Sequence, residues 1–198
     1  KVYLDNAATT ALDKEVLDAM IPVLRDTYGN PSSIHHFGRK TKALLEVSRK
    51  QVASFVNASP GEIFFTSGGT EADNMAIRCA TEDLDLKHAI TSKIEHHAVL
   101  HTLEKLEEKG KIKLSFVNLL PDGHVDLNHL EGLLANPPSP FGEGKGVRSF
   151  VSLMHANNEI GNLLPLKKTG ELCQKYNAIF HSDTVQTMGH YLIDLQKI

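Results

Sequence analysis

Ser67-Gly68-Gly69-Thr70-Glu71 sets two glycines where an apolar extended run, Glu62-Ile63-Phe64-Phe65-Thr66, gives way to helical periodicity. A backbone without Cβ lets a ligand approach closely, and the first N–H groups of a helix point outward with a partial positive charge. The segment therefore has the form of a phosphate cradle. Thr70-Glu71-Ala72-Asp73 equally resembles a capping box with Asp in place of Glu, which would make the same stretch an ordinary capped helix start. It is not a dinucleotide fingerprint, because no Gly-x-Gly-x-x-Gly opens the helix, nor a Walker loop, because no Gly-Lys-Ser/Thr occurs in the chain. The glycine-spaced Gly142-Glu143-Gly144-Lys145-Gly146 precedes a strand pattern and is discounted.

Three more segments place polar groups directly after short apolar runs. Lys93-Ile94-Glu95-His96-His97 follows His88 to Ser92, His155-Ala156-Asn157-Asn158-Glu159-Ile160-Gly161 follows Phe150 to Met154, and Ser182-Asp183-Thr184-Val185-Gln186 follows Ala178 to His181. Turn chemistry alone explains any one of them. If the runs are strands of one sheet, their ends bring glycines, an imidazole, amides and a carboxylate to a single crevice. A metal reading is weaker: His97-x-x-x-His101 puts two of the 11 histidines on one helical face, but no third ligand stands at a suitable spacing. His36, His124 and His129 read as surface or capping residues. A Ser/His/Asp hydrolase lacks its Gly-x-Ser-x-Gly elbow.

The elements that must hold these groups follow from periodicity. Val16, Leu17, Met20, Ile21 and Leu24 mark a helical face despite Pro22, and Leu44, Leu45, Val52 and Phe55 mark a second helix. Glu62 to Thr66 reads as a short strand, Thr70 to Ala80 as a helix, and His88 to Ser92 as a strand. Ala98 to Lys109 is helical, Ile112 to Leu119 a strand closed by Pro121-Asp122-Gly123, and Leu127 to Ala135 a helix. After a Pro/Gly-rich insertion at 136–148, Phe150 to Met154 is a strand, Pro165 to Tyr176 a helix and Ala178 to His181 a strand. Strands alternating with helices imply crossover units and an α/β fold, a mostly parallel sheet with helices on both faces, whose ligands sit at the carboxyl ends of strands.

Composition narrows the function classes. Twenty-one Lys+Arg against 24 Asp+Glu give a formal charge of −3, with no basic stripe for nucleic acid or anionic lipid. No apolar run is long enough to span a bilayer, and Lys1-Val2-Tyr3-Leu4-Asp5-Asn6 lacks a signal-peptide core, so the chain reads as cytoplasmic. Cys79 and Cys173 stand far apart in helical segments, which fits buried thiols in a reducing compartment. The missing initial Met, and an apolar-periodic stretch running uncapped to Ile198, read as truncation at one or both ends.

Tyr3-Leu4-Asp5-Asn6-Ala7-Ala8-Thr9-Thr10, Gly29-Asn30-Pro31-Ser32-Ser33, Thr66-Ser67-Gly68-Gly69-Thr70-Glu71-Ala72-Asp73-Asn74, Glu95-His96, Met154 to Gly161 and His181 to Gln186 follow one another in a recognisable order and spacing. They resemble the cysteine desulfurases, in the class V aminotransferase group of fold-type I pyridoxal-phosphate enzymes, with selenocysteine lyases as near relatives. The resemblance runs from end to end except for the insertion. It implies an N-terminal arm at 1–12 and, at 13–198, a partial cofactor-binding large domain without its C-terminal remainder and small domain.

The resemblance also implies roles. Residues matching Gly69 and Thr70 hold the phosphate of pyridoxal 5'-phosphate, and His96 matches the imidazole that stacks on its ring. Asp183 matches the carboxylate paired with the pyridine nitrogen, Gln186 the partner of the phenolic oxygen, and Asn158 an amide between that oxygen and the substrate carboxylate. The implied reaction takes sulfur from L-cysteine as an enzyme persulfide, releases L-alanine and feeds iron–sulfur cluster assembly through an acceptor or scaffold protein, in a homodimer. The family's Schiff-base lysine and persulfide cysteine fall past the position of Ile198, and neither Cys79 nor Cys173 matches, so the chain alone is expected to be inactive. The alternatives are another class V enzyme, a selenocysteine lyase or aminotransferase, or a non-catalytic truncated fragment.

Overall fold

The computed structural model describes residues 1–138 and 148–198; the Gly142 to Gly146 run and most of the insertion lie outside the described residues. The chain forms two compact units, one of Lys1–Phe64 with Ile193–Gln196, the other of Phe65–Leu192 with Lys197–Ile198.

In the first unit, Asp13 caps α1 (Lys14–Asp26) by accepting from Glu15 N at 2.8 Å. Pro22 sits inside this helix, and none of its residues is buried. His35 caps α2 (His36–Phe55) through a 3.3 Å bond from Gly38 N. Gly38 is required here, because a Cβ would lie 2.3 Å from Ser33 O and 2.6 Å from Asn30 O. Asn57 (φ 55°) ends α2, and its side chain donates to Asp194 Oδ1 at 2.9 Å. The strand expected over Glu62 to Thr66 does not form. Glu62 Oε2 accepts from Ser59 N at 2.7 Å, winding Pro60–Glu62 into a 3₁₀ turn, and Phe64 and Phe65 remain exposed beyond it.

The second unit carries the sheet. Its elements are α3 (Gly69–Arg78), which runs into a π-helical turn at Cys79–Asp83, then β1 (His88–Thr91), α4 (His97–Glu108), β2 (Lys113–Phe116), α5 (Leu127–Ala135), β3 (Ser149–Ser152), α6 (Leu166–Lys175) and β4 (Ile179–His181). All pairings are parallel, in the order β2-β1-β3-β4. Alternation along the strands divides the core. Ala89 and Phe150 pack with Ile77, Val99, Leu103 and Leu114, while Ile90 and Val151 pack with Leu130, Leu134, Leu153 and Cys173. Helices thus cover both faces, as the alternation of elements predicts. β2 is shorter than expected, because Leu119 bridges back to Val125 around Gly123 (φ 83°).

Buried polar groups in the sheet are paired. His88 Nδ1 lies 2.8 Å from Ser149 Oγ and Nε2 lies 2.9 Å from Ser115 Oγ, and burial pushes the ring's pKa down to about 4. Cys173 is buried, its thiol pushed up to about 12 by burial, but Cys79 is exposed, contrary to the expectation of two buried thiols. The π-helical turn buries Ala80 and Thr81 and leaves Cys79 outside. Among the described residues no helix is long and apolar enough to cross a membrane.

Candidate active site

The loops after β1 and β3 are stapled together by two side chains. Glu95, buried, accepts from Ser92 Oγ at 2.6 Å and from Met154 N at 2.8 Å, which ties the end of one strand to the end of its neighbour. Asn157 does the same one layer out: its Nδ2 donates to Ile94 O at 2.7 Å, and its Oδ1 accepts from Glu159 N and Ile160 N at 2.8 and 2.9 Å. Held between these loops is a cavity of about 230 Å³ whose lining includes Glu95, His96, Asn158 and Ile160. Asn158 itself is exposed on its rim.

His96 is the N-cap of α4, and its Nδ1 accepts from Ala98 N at 3.2 Å. That bond requires a lone pair on Nδ1, so the neutral ring carries its proton on Nε2, the atom left to meet a ligand.

The start of α3 differs from a capping box. Glu71 reaches back to Ser67 N and Oγ, both at 2.6 Å, and the N-cap Gly68 makes no side-chain bond to the helix. Asp73, the expected box partner, turns inward and is 4% exposed. An uncapped helix start of this length presents its first N–H groups to an anion. A Cβ built on Gly69 would lie 3.0 Å from Val185 Cγ2, so the α3 start closes against the turn after β4. In that turn Asp183 accepts from Val185 N through Oδ1 at 2.9 Å and from His155 N through its backbone oxygen at 2.9 Å. Gln186 follows, and Thr187 Oγ1 lies 2.9 Å from His155 Nδ1.

Carboxyls gather where these loops meet. Burial first, then the charge of Asp183, raises the Asp73 carboxyl to about 6, with His96 opposing. Burial raises Glu95 to about 8; its bonds from Ser92 and Met154 oppose the rise, while Asp183 and Asp73 add to it. Asp73, Glu95 and Asp183, from three separate elements, therefore act on one another, and the imidazoles of His96 and His181 act on this cluster too.

Of the residues singled out from sequence, Gly69, His96 and Asp183 converge through these contacts; Thr70 and Gln186 stand next to Gly69 and Val185, and Asn158 shares the cavity of His96. The glycine pair follows an extended segment rather than a strand, so three strand ends and one helix start build the site instead of four strand ends. The rings of His97 and His101 stack with centroids 4.6 Å apart, and no group of three or more His, Cys, Asp or Glu able to hold a metal occurs among the described residues. Sequence reasoning singled out neither Asp73, Glu95 nor Asn157. For Asp73 a signal existed, since it stands one helical turn before the buried Ile77 and shares its face.

The profile of the family described as Aminotransferase class-V matches residues 2–198. The chain is 42% identical over 200 residues to the cysteine desulfurase IscS of Dictyoglomus turgidum, covering 100% of this chain and 48% of that protein. It is 42% identical to the putative cysteine desulfurase IscS 1 of Bacillus subtilis, covering 100% of this chain and 50% of that one. The chain thus spans about half the length of the curated relatives it matches. Among solved structures, a NifS-like protein superposes with a TM-score of 0.87 at 38% identity, over 99% of this chain and 52% of that one. A structure titled SspA in complex with cysteine superposes with a TM-score of 0.87 at 30% identity, over 98% of this chain and 54% of that one. With a family profile matching all but the first residue, the chain belongs to the class V aminotransferase family.

Proposed function

We propose that this chain supplies the cofactor cradle of a pyridoxal 5'-phosphate-dependent cysteine desulfurase. The observation that carries the reading is the opposite polarity of the two sides of one site. An uncapped helix start at Gly69 and Thr70 offers N–H groups to a phosphate, and the Asp183 carboxylate, whose charge acts on Asp73 and Glu95, offers negative charge to a protonated ring nitrogen. A flat ligand with an anion at one end and a cation at the other fits that pair of demands, and pyridoxal phosphate is such a ligand. When bound, the cofactor supplies an electron sink for charge developing on the substrate.

In this reading Gly69 and Thr70 hold the phosphate, Asp183 pairs with the ring nitrogen and Gln186 binds the phenolic oxygen. Asn158, on the cavity rim, orients the substrate carboxylate beside that oxygen. His96 covers the ring and exchanges a proton at Nε2, the position that its bond from Ala98 N leaves protonated in the neutral ring. Support for L-cysteine as substrate comes from relatives named cysteine desulfurase and from the cysteine complex of SspA. The proposal extends to sulfur passed as a persulfide to an acceptor or scaffold protein for iron–sulfur cluster assembly, with L-alanine released, by a cytoplasmic homodimer organised as an arm at 1–12 and a cofactor-binding domain at 13–198.

The aldehyde-free analogue 4-deoxypyridoxine 5'-phosphate tests the cradle without forming adducts on surface lysines. Calorimetric titration is expected to show it binding about 100-fold more tightly than 4-deoxypyridoxine, since charge-assisted bonds to a phosphate contribute on the order of 3 kcal/mol. Equal affinity of the two compounds would overturn the assignment of Gly69 and Thr70.

A further inference from the structure

Asp73 is a buried carboxyl with no local duty. Glu71, not Asp73, reaches back to Ser67 ahead of α3, and Asp73 Oδ1 lies 3.6 Å from Nε2 of His181. The His181 ring is fixed on its other side, where Nδ1 lies 2.9 Å from Ser152 Oγ, and it stacks on Phe150 with centroids 5.9 Å apart. The titratable groups acting on Asp73 come from three other parts of the fold: His181 and Asp183 from β4 and its turn, His96 from the cap of α4, and Glu95 from the segment after β1. The only counter-charges this set offers are two imidazoles. Carboxyls that converge in a buried place without a permanent cation retain protons until a cation arrives.

We propose that Asp73 is a positioning residue for the ring cation of the bound cofactor: acting through His181 and beside Asp183, it adds a second negative charge behind the ring nitrogen, and binding of the ring expels its proton. This rests on the cofactor reading given above. Because burial and Asp183 raise the Asp73 carboxyl to about 6, the ligand-free protein holds that proton half of the time near pH 6, and an arriving cation favours the ionised form.

Calorimetric titration of 4-deoxypyridoxine 5'-phosphate at pH 6, in two buffers of different ionisation heat, counts the protons released per ligand. Protons lost by the ligand itself cancel between variants. Asp73→Asn is expected to release about 0.5 proton fewer than the wild-type chain and to bind about fivefold more weakly at pH 8. A variant that binds with an unchanged proton count would overturn the role of Asp73 while leaving the cradle standing. A wild-type chain that binds none of the analogue would overturn the cradle and this inference with it. Should Asp73→Asn fail to fold, the side-chain carboxyl of Asp73 can be followed in the wild-type protein by ¹³C NMR. A titration midpoint near 6 that falls when the analogue is added supports the proposal, and a midpoint unmoved by the analogue overturns it.

Discussion

Asp183→Ala is expected to weaken binding of 4-deoxypyridoxine 5'-phosphate by about 100-fold, the largest effect of any single change in the site. A bond between an ion pair in a protected site is worth roughly 1.5–3 kcal/mol, and its removal takes from the ring nitrogen the carboxylate assigned to it, while Glu95 stays protonated near neutral pH. The loss should concentrate on the protonated ring. An N-methylpyridinium analogue, permanently charged, should lose less than the parent compound, because its affinity no longer depends on a shared proton. The fold should tolerate the change: among the described residues, Asp183 accepts one side-chain bond from Val185 N, and its backbone bond from His155 N is one that alanine retains. An Asp183→Ala protein with wild-type affinity would remove that carboxylate from the site.

Stability is expected to depend on Glu95 in a pH-dependent way. Its carboxyl is raised from 4.5 to about 8 in the folded protein, so the proton it carries favours the native state. The stabilisation is fully present below about pH 4.5 and is lost as pH rises through about 8. Glu95→Gln keeps an oxygen for Met154 N and an amide for Ser92 Oγ without the titration. Urea unfolding should show the variant gaining on wild type by roughly 2.7 kcal/mol between pH 6 and 9, at about 1.4 kcal/mol per pKa unit. Glu95→Ala should cost about 3 kcal/mol near pH 6, since it leaves the Met154 N–H buried without its acceptor and opens a void between two strand ends. Parallel pH profiles for the wild-type and Gln proteins would contradict the buried, protonated state of Glu95.

The sheet was readable because its strands alternate cleanly: Ala89 and Phe150 face one helical layer, Ile90 and Val151 the other, and neither layer can be solvated. Ile63-Phe64-Phe65 has the same composition and is not a strand. Composition reports a preference for extended backbone, whereas a strand also needs a neighbour, and here the Ser59–Glu62 bond spends the preceding residues on a turn. The exposed and half-buried polar residues of the site were legible for the complementary reason. His96, Asn158 and Asp183 stand where strands end, and turns admit whatever side chains the ligand requires.

The buried polar residues were harder to read. Asp73 and Glu95 break the rule that acids lie outside, and a rule cannot announce its own exceptions. Glu95 was hidden beside His96 in one motif, although only the imidazole faces outward. Asn157 and Asn158 are adjacent amides with opposite tasks, one pinning two loops together and the other left exposed on a cavity rim; nothing in their residue type separates them.

The central claim is that loops distant in sequence surround one flat phosphorylated ring. Amide shift mapping of the ¹⁵N-labelled protein with 4-deoxypyridoxine 5'-phosphate tests it most directly. The account predicts that the largest shifts fall together at Gly69, Thr70, His96, Asn158 and Val185 and saturate along a single binding curve. Shifts confined to one of these loops, or spread over separate faces with different curves, would contradict it.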